Sequence, residues 1–380
     1  FKQKTAYEIM PSLVGSEMCI RDSNYNFWYY FTHWFKTKTI LAKSAGSSTV
    51  YLIWEGRKYP FQSTNVLKDW GLSTSQITTM DTTALSSLPT GPTITNFVKD
   101  ENGAFYKIIG GKRYFYLNTD AIQREGKNPN SASQLPGSLI KQVPFRKTIA
   151  WIARRSGPSE IYLIDGGKKR PIKYWWRTFW ALGLSFSDIR VNDKTALSKP
   201  TGQLFSLVVS DPAGRLFLLD NETKHRIRGR QYLRILGISR SKIGKVSYSF
   251  LRRFQNGKYF YPVVVSSKYP NVFWLIDGKG RYYIPNTTFR NWRFKKGRVL
   301  VLNRNFVYHL AYKGELTNLI KGSSPNVFLV IKGRKVHIPN PFEFRRLSLS
   351  WFNVRRVSNA WIRTLRSRHY SFSWILANVE

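Results

Sequence analysis

VYLIWEGRKYPF, residues 50–61, is the stretch that decides the fold. An apolar run rich in aromatic and β-branched residues enters a short basic turn containing Gly56, and a second run closes on Pro60. Such side chains suit a pleated strand, and glycine supplies the positive φ that a tight hairpin turn demands. A proline ends the second strand where no further ladder donor is needed. The pattern recurs as AFYKIIGGKRYFY (104–116), IYLIDGGKKRPI (161–172), LFLLDNETKHRI (216–227), VFWLIDGKGRYYIP (272–285) and VFLVIKGRKVHIP (327–339). The turns fall near residues 56, 111, 167, 223, 279 and 333. That is a period of about 55 residues, the mark of a tandem repeat. In two of the turns, Asp165-Gly166 and Asp277-Gly278 are expected to supply the positive-φ positions.

After the hairpin comes a short amphipathic stretch, for example Thr64–Leu72, Tyr174–Leu184, Arg230–Ile238, Thr287–Phe294 and Pro341–Leu349. Large residues recur there at helical spacing, as in Trp176/Phe179/Trp180 and Phe289/Trp292. Gly71, Gly183 and Gly237 stand where a helix C-terminus takes a left-handed residue. Small strands follow at Ile77–Met80, Ile189–Val191, Ile243–Val246, Val299–Leu302 and Val354–Val357, then closing stretches such as ALSSLPTGP (84–92) and ALSKPTGQL (196–204). Leading strands at Phe97–Lys99, Leu204–Val209 and Pro262–Val265 enter the next hairpins. The fold class is therefore α+β, a tandem array of about six β-β-β-α-β repeats. The expected boundaries are 45–95, 96–150, 151–203, 204–260, 261–316 and 317–380, after a lead-in at 24–44. The second repeat loses the pattern after Gly126, through Asn128-Pro129-Asn130-Ser131. A six-bladed propeller-like ring is the alternative architecture. Separate or loosely packed neighbours are favoured over it, because each unit carries its own helix.

The first 23 residues read differently. KQKTAYE (2–8) and LVGSEMCIRDS (13–23) are what two common sequencing adapters encode when translated in frame, and the four residues between them match the intervening bases and index. The expectation is that native sequence starts at about Asn24 and that 1–23 have no packed role. Cys19, the single cysteine, lies in this segment, so the remainder offers neither disulfides nor thiolate metal sites. The segment is electrically neutral, so the net charge of +40 belongs to residues 24–380. Such an excess attracts polyanions: nucleic acid, anionic lipid or phosphate-bearing wall polymers. Apolar residues at 42% and aromatics at 16% provide for packed cores, which excludes a disordered polycation. No apolar run reaches the length of a membrane-spanning helix.

A catalytic constellation is not evident. The histidines at 33, 225, 309, 337 and 369 form no ligand spacing, and no nucleophile elbow, Walker loop or dinucleotide fingerprint occurs. Gly110-Gly111-Lys112 and Gly166-Gly167-Lys168 lie inside hairpins and lack the helix a phosphate loop requires. No enzyme activity, cofactor or metal is expected. The binding candidates are the hairpin cations, Arg57, Lys58, Lys112, Arg113, Lys168, Lys169, Arg170, Lys224, Arg226, Lys279, Arg281, Arg334 and Lys335, which recur once per unit. One cationic site per repeat gives multivalent binding to a repeating polyanion, whereas the same charges on edge strands also discourage aggregation. Trp70, Trp175, Trp180, Trp292 and Trp351 are core residues or stacking platforms for sugars or bases.

The combination of VYLIWEGRKYPF (50–61), DWGLS (69–73) and ALSSLPTGP (84–92), repeated in the third unit with Pro200-Thr201-Gly202, resembles repeats in surface proteins of candidate-phyla bacteria of the Patescibacteria type. It is also similar to the wall-binding-like repeats of the EccB component of type VII secretion. The resemblance covers about residues 45–376, and the other units keep the hairpin but lose Pro-Thr-Gly. It implies a small sheet with a packed helix in each unit. It also implies an exported, cell-envelope-associated protein that binds anionic wall or envelope polymers, the targeting part of a larger wall-associated protein. The alternative is a basic nucleic-acid-binding protein, although no helix-turn-helix, RNP motif or zinc finger is present.

Overall fold

A computed structural model describes residues 40–157 and 160–378. The adapter-like segment 1–23 and most of the lead-in lie outside the described residues. Six small mixed sheets follow one another along the chain, none of them closed, with short helices between their strands. The fold is thus the expected α+β repeat. The mixed sheets are not the antiparallel blades of a propeller.

The third repeat shows the plan. Its leading strand Ile152–Arg154 pairs antiparallel with Tyr162–Asp165, which turns back antiparallel as Lys168–Pro171. Helix Trp175–Leu182 and a 3-10 turn at Phe186–Asp188 carry the chain across, and Ile189–Val191 returns parallel on the free side of the leading strand. The helix stops at Gly183, whose φ of +64° is the left-handed conformation the sequence signalled. Gly71 and Gly237 do the same, at +76° and +66°. The turn itself differs from expectation. Gly166 and Gly167 hold the positive φ values, and Asp165 stays in the strand with its carboxylate available for other bonds.

The repeat is also longer than β-β-β-α-β. The closing stretch forms a second short helix, at Thr82–Ser86, Gly137–Ile140, Lys194–Leu197, Tyr248–Arg252, Arg304–Tyr308 and Asn359–Ile362. Five of these start at a side-chain cap: Asp81, Asp193, Ser247, Asn303 and Ser358 each accept a backbone N–H of the first turn. The second repeat completes the pattern too, with Ser133–Gln134 and Phe145–Ile149 as its last strands. In the second, fourth, fifth and sixth repeats an extra strand lies beside the outer hairpin strand, parallel to it in the last three. In the first and third, Pro-Thr-Gly takes that place through single bridges, Lys58 to Thr90 and Lys169 to Thr201.

The described chain divides into two compact units. One holds the residues up to Glu101 with Tyr106–Arg113 and Ser131–Phe145, and the other holds Asn102–Phe105, Tyr114–Asn130 and everything from Arg146 onward. Within each unit successive repeats are joined in one recurring way: a hairpin turn sits on the C-terminal end of the preceding long helix. In the first unit the Gly111 N–H donates to the Asp69 carbonyl at 2.9 Å. In the second, Asn221 donates to Ala181, Gly278 to Ile235 and Gly333 to Asn291, at 2.7, 2.6 and 2.7 Å. The turn of the third repeat is held by a side chain instead, with the Asp120 carboxylate accepting from Gly166 and Gly167. Apolar cores cross the same boundaries. Ala181, Leu207, Val264 and Phe306 share one cluster, and Ile235, Phe289 and Trp361 another. Separate beads are therefore not what forms within a unit. A helix end carries unsatisfied carbonyls and a tight turn carries unsatisfied N–H groups, so docking one on the other satisfies both.

Candidate functional site

The hairpin cations divide into two sets with different work. One cation in every repeat reaches the C-terminus of that repeat's own closing helix. Lys58 Nζ donates to the Leu85 carbonyl at 2.8 Å, and Arg113 Nη1 to Ile140 at 3.1 Å. Lys169 reaches Leu197 at 2.7 Å, and Lys224 reaches Leu251 at 2.6 Å. Arg281 reaches Val307 and Tyr308 at 3.1 and 2.6 Å, and Lys335 reaches Ile362 at 2.6 Å. A cation on the last carbonyls of a helix satisfies orphan acceptors and opposes the negative end of the helix dipole. Burial is the main influence lowering the pKa of Lys224, Arg281 and Lys335, with like-charge repulsion from Arg215 and Arg363 adding to it at the two lysines.

The second set is exposed: Arg57, Lys112, Lys168, Arg226, Lys279 and Arg334. Arg57, Lys112, Lys168 and Arg334 each open the outer hairpin strand, Lys279 lies in its turn, and Arg226 lies further along its strand. Arg170 belongs to neither set. It is buried, ion-paired to Asp165 at 2.6 Å, and it donates to the carbonyls of Gln203, Leu204 and Lys245.

Arg170 lines a cleft of about 750 Å³ in the second compact unit. Asp165, Gly166 and Gln203 of the third repeat line one side, and Ser210, Asp211, Gly214, Lys245, Ser247, Ser249 and Arg253 of the fourth line the other. The carboxylates here are engaged within the fold. Asp165 binds Arg170 and the Asn118 amide, while Asp211 binds Arg215 Nε and its own turn N–H. The Arg253 guanidinium has no hydrogen-bond partner among the described residues, while its backbone N–H donates to the Leu251 carbonyl. Burial lowers its pKa, offset in part by Asp165 and Asp120. Beside this cleft, sharing Gly214, a shallower one of about 510 Å³ is lined by Arg215, Arg226, Arg228 and Arg230.

The corresponding hairpin carboxylates of the next two repeats behave differently from Asp165. Asn303 N–H, at the start of the fifth repeat's closing helix, donates to Asp220 at 3.1 Å. Ser358 N–H, at the same place in the sixth, donates to Asp277 at 2.7 Å. The third repeat's Asp165 is drawn off by Arg170, and the cleft lies between it and the fourth repeat's Ser247.

Trp70 and Trp292 are core residues, while Trp175 and Trp351 are exposed by 46% and 55%. Trp180 stacks on His309 with ring centroids 4.0 Å apart. His225 is buried with Nδ1 on the Lys258 carbonyl. Among the described residues no cluster of His, Cys, Asp or Glu fits a metal ion, and no helix is long and apolar enough to cross a membrane. Sequence reasoning missed Arg253 and Lys245, which lie outside the hairpins. It also missed Arg177, a fully buried cation of the third repeat's helix. Arg177 donates to the Leu236 carbonyl at 2.9 Å, and desolvation lowers its pKa to about 10.

The geometry defines a tandem α+β repeat protein with hairpin cations that cap its closing helices, an exposed cation at each hairpin, and two adjoining basic clefts. No family model matches the chain, and no curated protein sequence does. Among solved structures, the periplasmic assembly from the ESX-5 inner membrane complex is similar at 11% identity, over 75% of this chain and 96% of that one, with a TM-score of 0.16. The EccB3 dimer from the ESX-3 core complex is similar at 12% identity, over 58% of this chain and 71% of that one, with a TM-score of 0.15.

Proposed function

We propose that this protein is a non-catalytic, envelope-associated repeat array that binds anionic cell-wall or envelope polymers. The observation that carries the reading is the exposed cation at the hairpin of every repeat: Arg57, Lys112, Lys168, Arg226, Lys279 and Arg334. Each is a weak site alone, since an exposed ion pair contributes at most about 1 kcal/mol. A polymer engaging several gains by effective concentration, so affinity grows with the number of repeats engaged. The inner cations contribute little to such binding, because their donors already face helix carbonyls. The test is retention on purified wall material, with its anionic polymers intact or stripped. The reading requires retention on intact material that falls with salt and is lost when the six exposed cations become Gln. Equal retention on stripped material would refute it, and tighter retention on duplex DNA would favour the nucleic-acid alternative.

A further inference from the structure

The cleft between the third and fourth repeats has the makings of a specific site. Its three lining cations are Arg170, Lys245 and Arg253, and its two carboxylates are both paired inside the fold. Arg253 is partly buried with its guanidinium free of hydrogen-bond partners among the described residues, and Lys245 is exposed. The hydroxyls of Ser247 and Ser249 stand 2.8 Å apart beside them. A guanidinium, an ammonium and two hydroxyls present donors from several directions. A tetrahedral phosphate, with more acceptor oxygens than a carboxylate, uses such an arrangement more fully. The volume of about 750 Å³ exceeds a lone phosphate and lies in the range of pockets that hold small organic ligands.

The neighbouring joints show what this place accepts. In the next two repeats the same location holds an acceptor group supplied by the chain itself, the carboxyl of Asp220 against Asn303 and that of Asp277 against Ser358. Here Asp165 is held away by Arg170 and Asn118.

We propose that this cleft binds a phosphate group together with the sugar or polyol residue attached to it, as a defined site on the polymer that the exposed cations hold loosely. The proposal deepens the polymer-binding reading and rests on it for the source of the ligand. Arg253 and Lys245 contact the phosphate, and Ser247 and Ser249 complete its shell. Arg170 keeps the site open by holding Asp165 aside.

Titration of the full chain with glycerol 3-phosphate, inorganic phosphate, glycerate and a dinucleotide monophosphate, followed by calorimetry, tests this. Glycerol 3-phosphate is expected to bind saturably with one site per chain, at least tenfold tighter than glycerate. Arg253→Ala with Lys245→Ala is expected to weaken it at least tenfold, and the milder Arg253→Lys with Lys245→Gln guards against a folding defect. Lys68→Gln, an exposed position outside the cleft and outside the hairpin cations, is expected to leave it unchanged. Unchanged affinity in the cleft variants, or no saturable binding in any arm, would overturn the proposal. Tenfold tighter binding of the dinucleotide through the same residues would overturn the polyol assignment. Wall retention in the cleft variants reports separately on the polymer-binding reading, which stands if the exposed-cation variant alone abolishes it.

Discussion

At the scale of the residue, the main result is that the recurring lysine or arginine two positions past the hairpin turn is a helix cap. Lys169 illustrates the energetics. Its ammonium meets the Leu197 carbonyl at the end of a helix of four residues, too short to persist without outside help. Lys169→Met keeps most of the aliphatic stem and removes the cation. Taking a part-buried helix-terminus charge as about 1–2 kcal/mol, hydrogen exchange in Lys194–Leu197 should accelerate roughly five- to thirtyfold. Wall retention should be unaffected, whereas Lys168→Gln should reverse the pattern. Arg177 is the costlier case. Removing it leaves the Leu236 carbonyl without this donor in a dry interior and opens a cavity, so Arg177→Ala should lower stability by about 3 kcal/mol. Denaturant unfolding of the full chain measures it. The cations were legible as a recurring feature, but their role was not. The partner of each lies 26 to 28 residues downstream in a helix the closing stretch barely announces. Only the constancy of that spacing carried the signal.

At the scale of the element, hairpins and long-helix ends were readable because their determinants are local: alternating strand residues, a turn glycine, a left-handed glycine at the helix stop. The closing helix was missed because only four or five residues define it. Its caps, Asp81, Asp193, Ser247, Asn303 and Ser358, were the available clue. Packing between elements of different repeats leaves no such local mark, and Asp220 is the instructive example. It lies in a hairpin strand, buried, and receives the Asn303 N–H from the next repeat's closing helix. Desolvation raises its pKa to about 7, and the Asn303 hydrogen bond opposes the rise only in part. Because the folded pKa lies above the unfolded one, the folded chain keeps a proton that the unfolded chain has released. The stabilising contribution is therefore full below about pH 4 and lost as pH climbs towards 7. Asp220→Asn retains an acceptor for Asn303 without the charge. It should raise stability at pH 7.5 and flatten the decline between pH 4 and 7, seen in melting temperature against pH. An unchanged slope would mean that Asp220 is ionised throughout.

At the scale of the whole chain, each repeat is a small sheet that cannot bury its own faces, and the helix-end-to-turn joint is what lets neighbours complete one another. The joint also demands close backbone approach. A Cβ on Gly237 would stand 3.2 Å from the Gly278 Cα, and Gly237 already has a φ of +66°. Gly237→Ala therefore carries two penalties, left-handed strain of about 1 kcal/mol and displacement of the turn. Gly214→Ala is the matched control, since Gly214 has a φ of +73° and nothing within 4 Å of its absent Cβ. Both variants should incur the strain penalty, but only Gly237→Ala should loosen the coupling between the fourth and fifth repeats. In calorimetry of the full chain, the transition of the second compact unit should broaden or split in Gly237→Ala. In Gly214→Ala it should shift to lower temperature with its width kept. If the two variants gave the same shift and the same width, backbone strain would account for everything, and the turn-on-helix contact would not be the element that makes adjacent repeats unfold together.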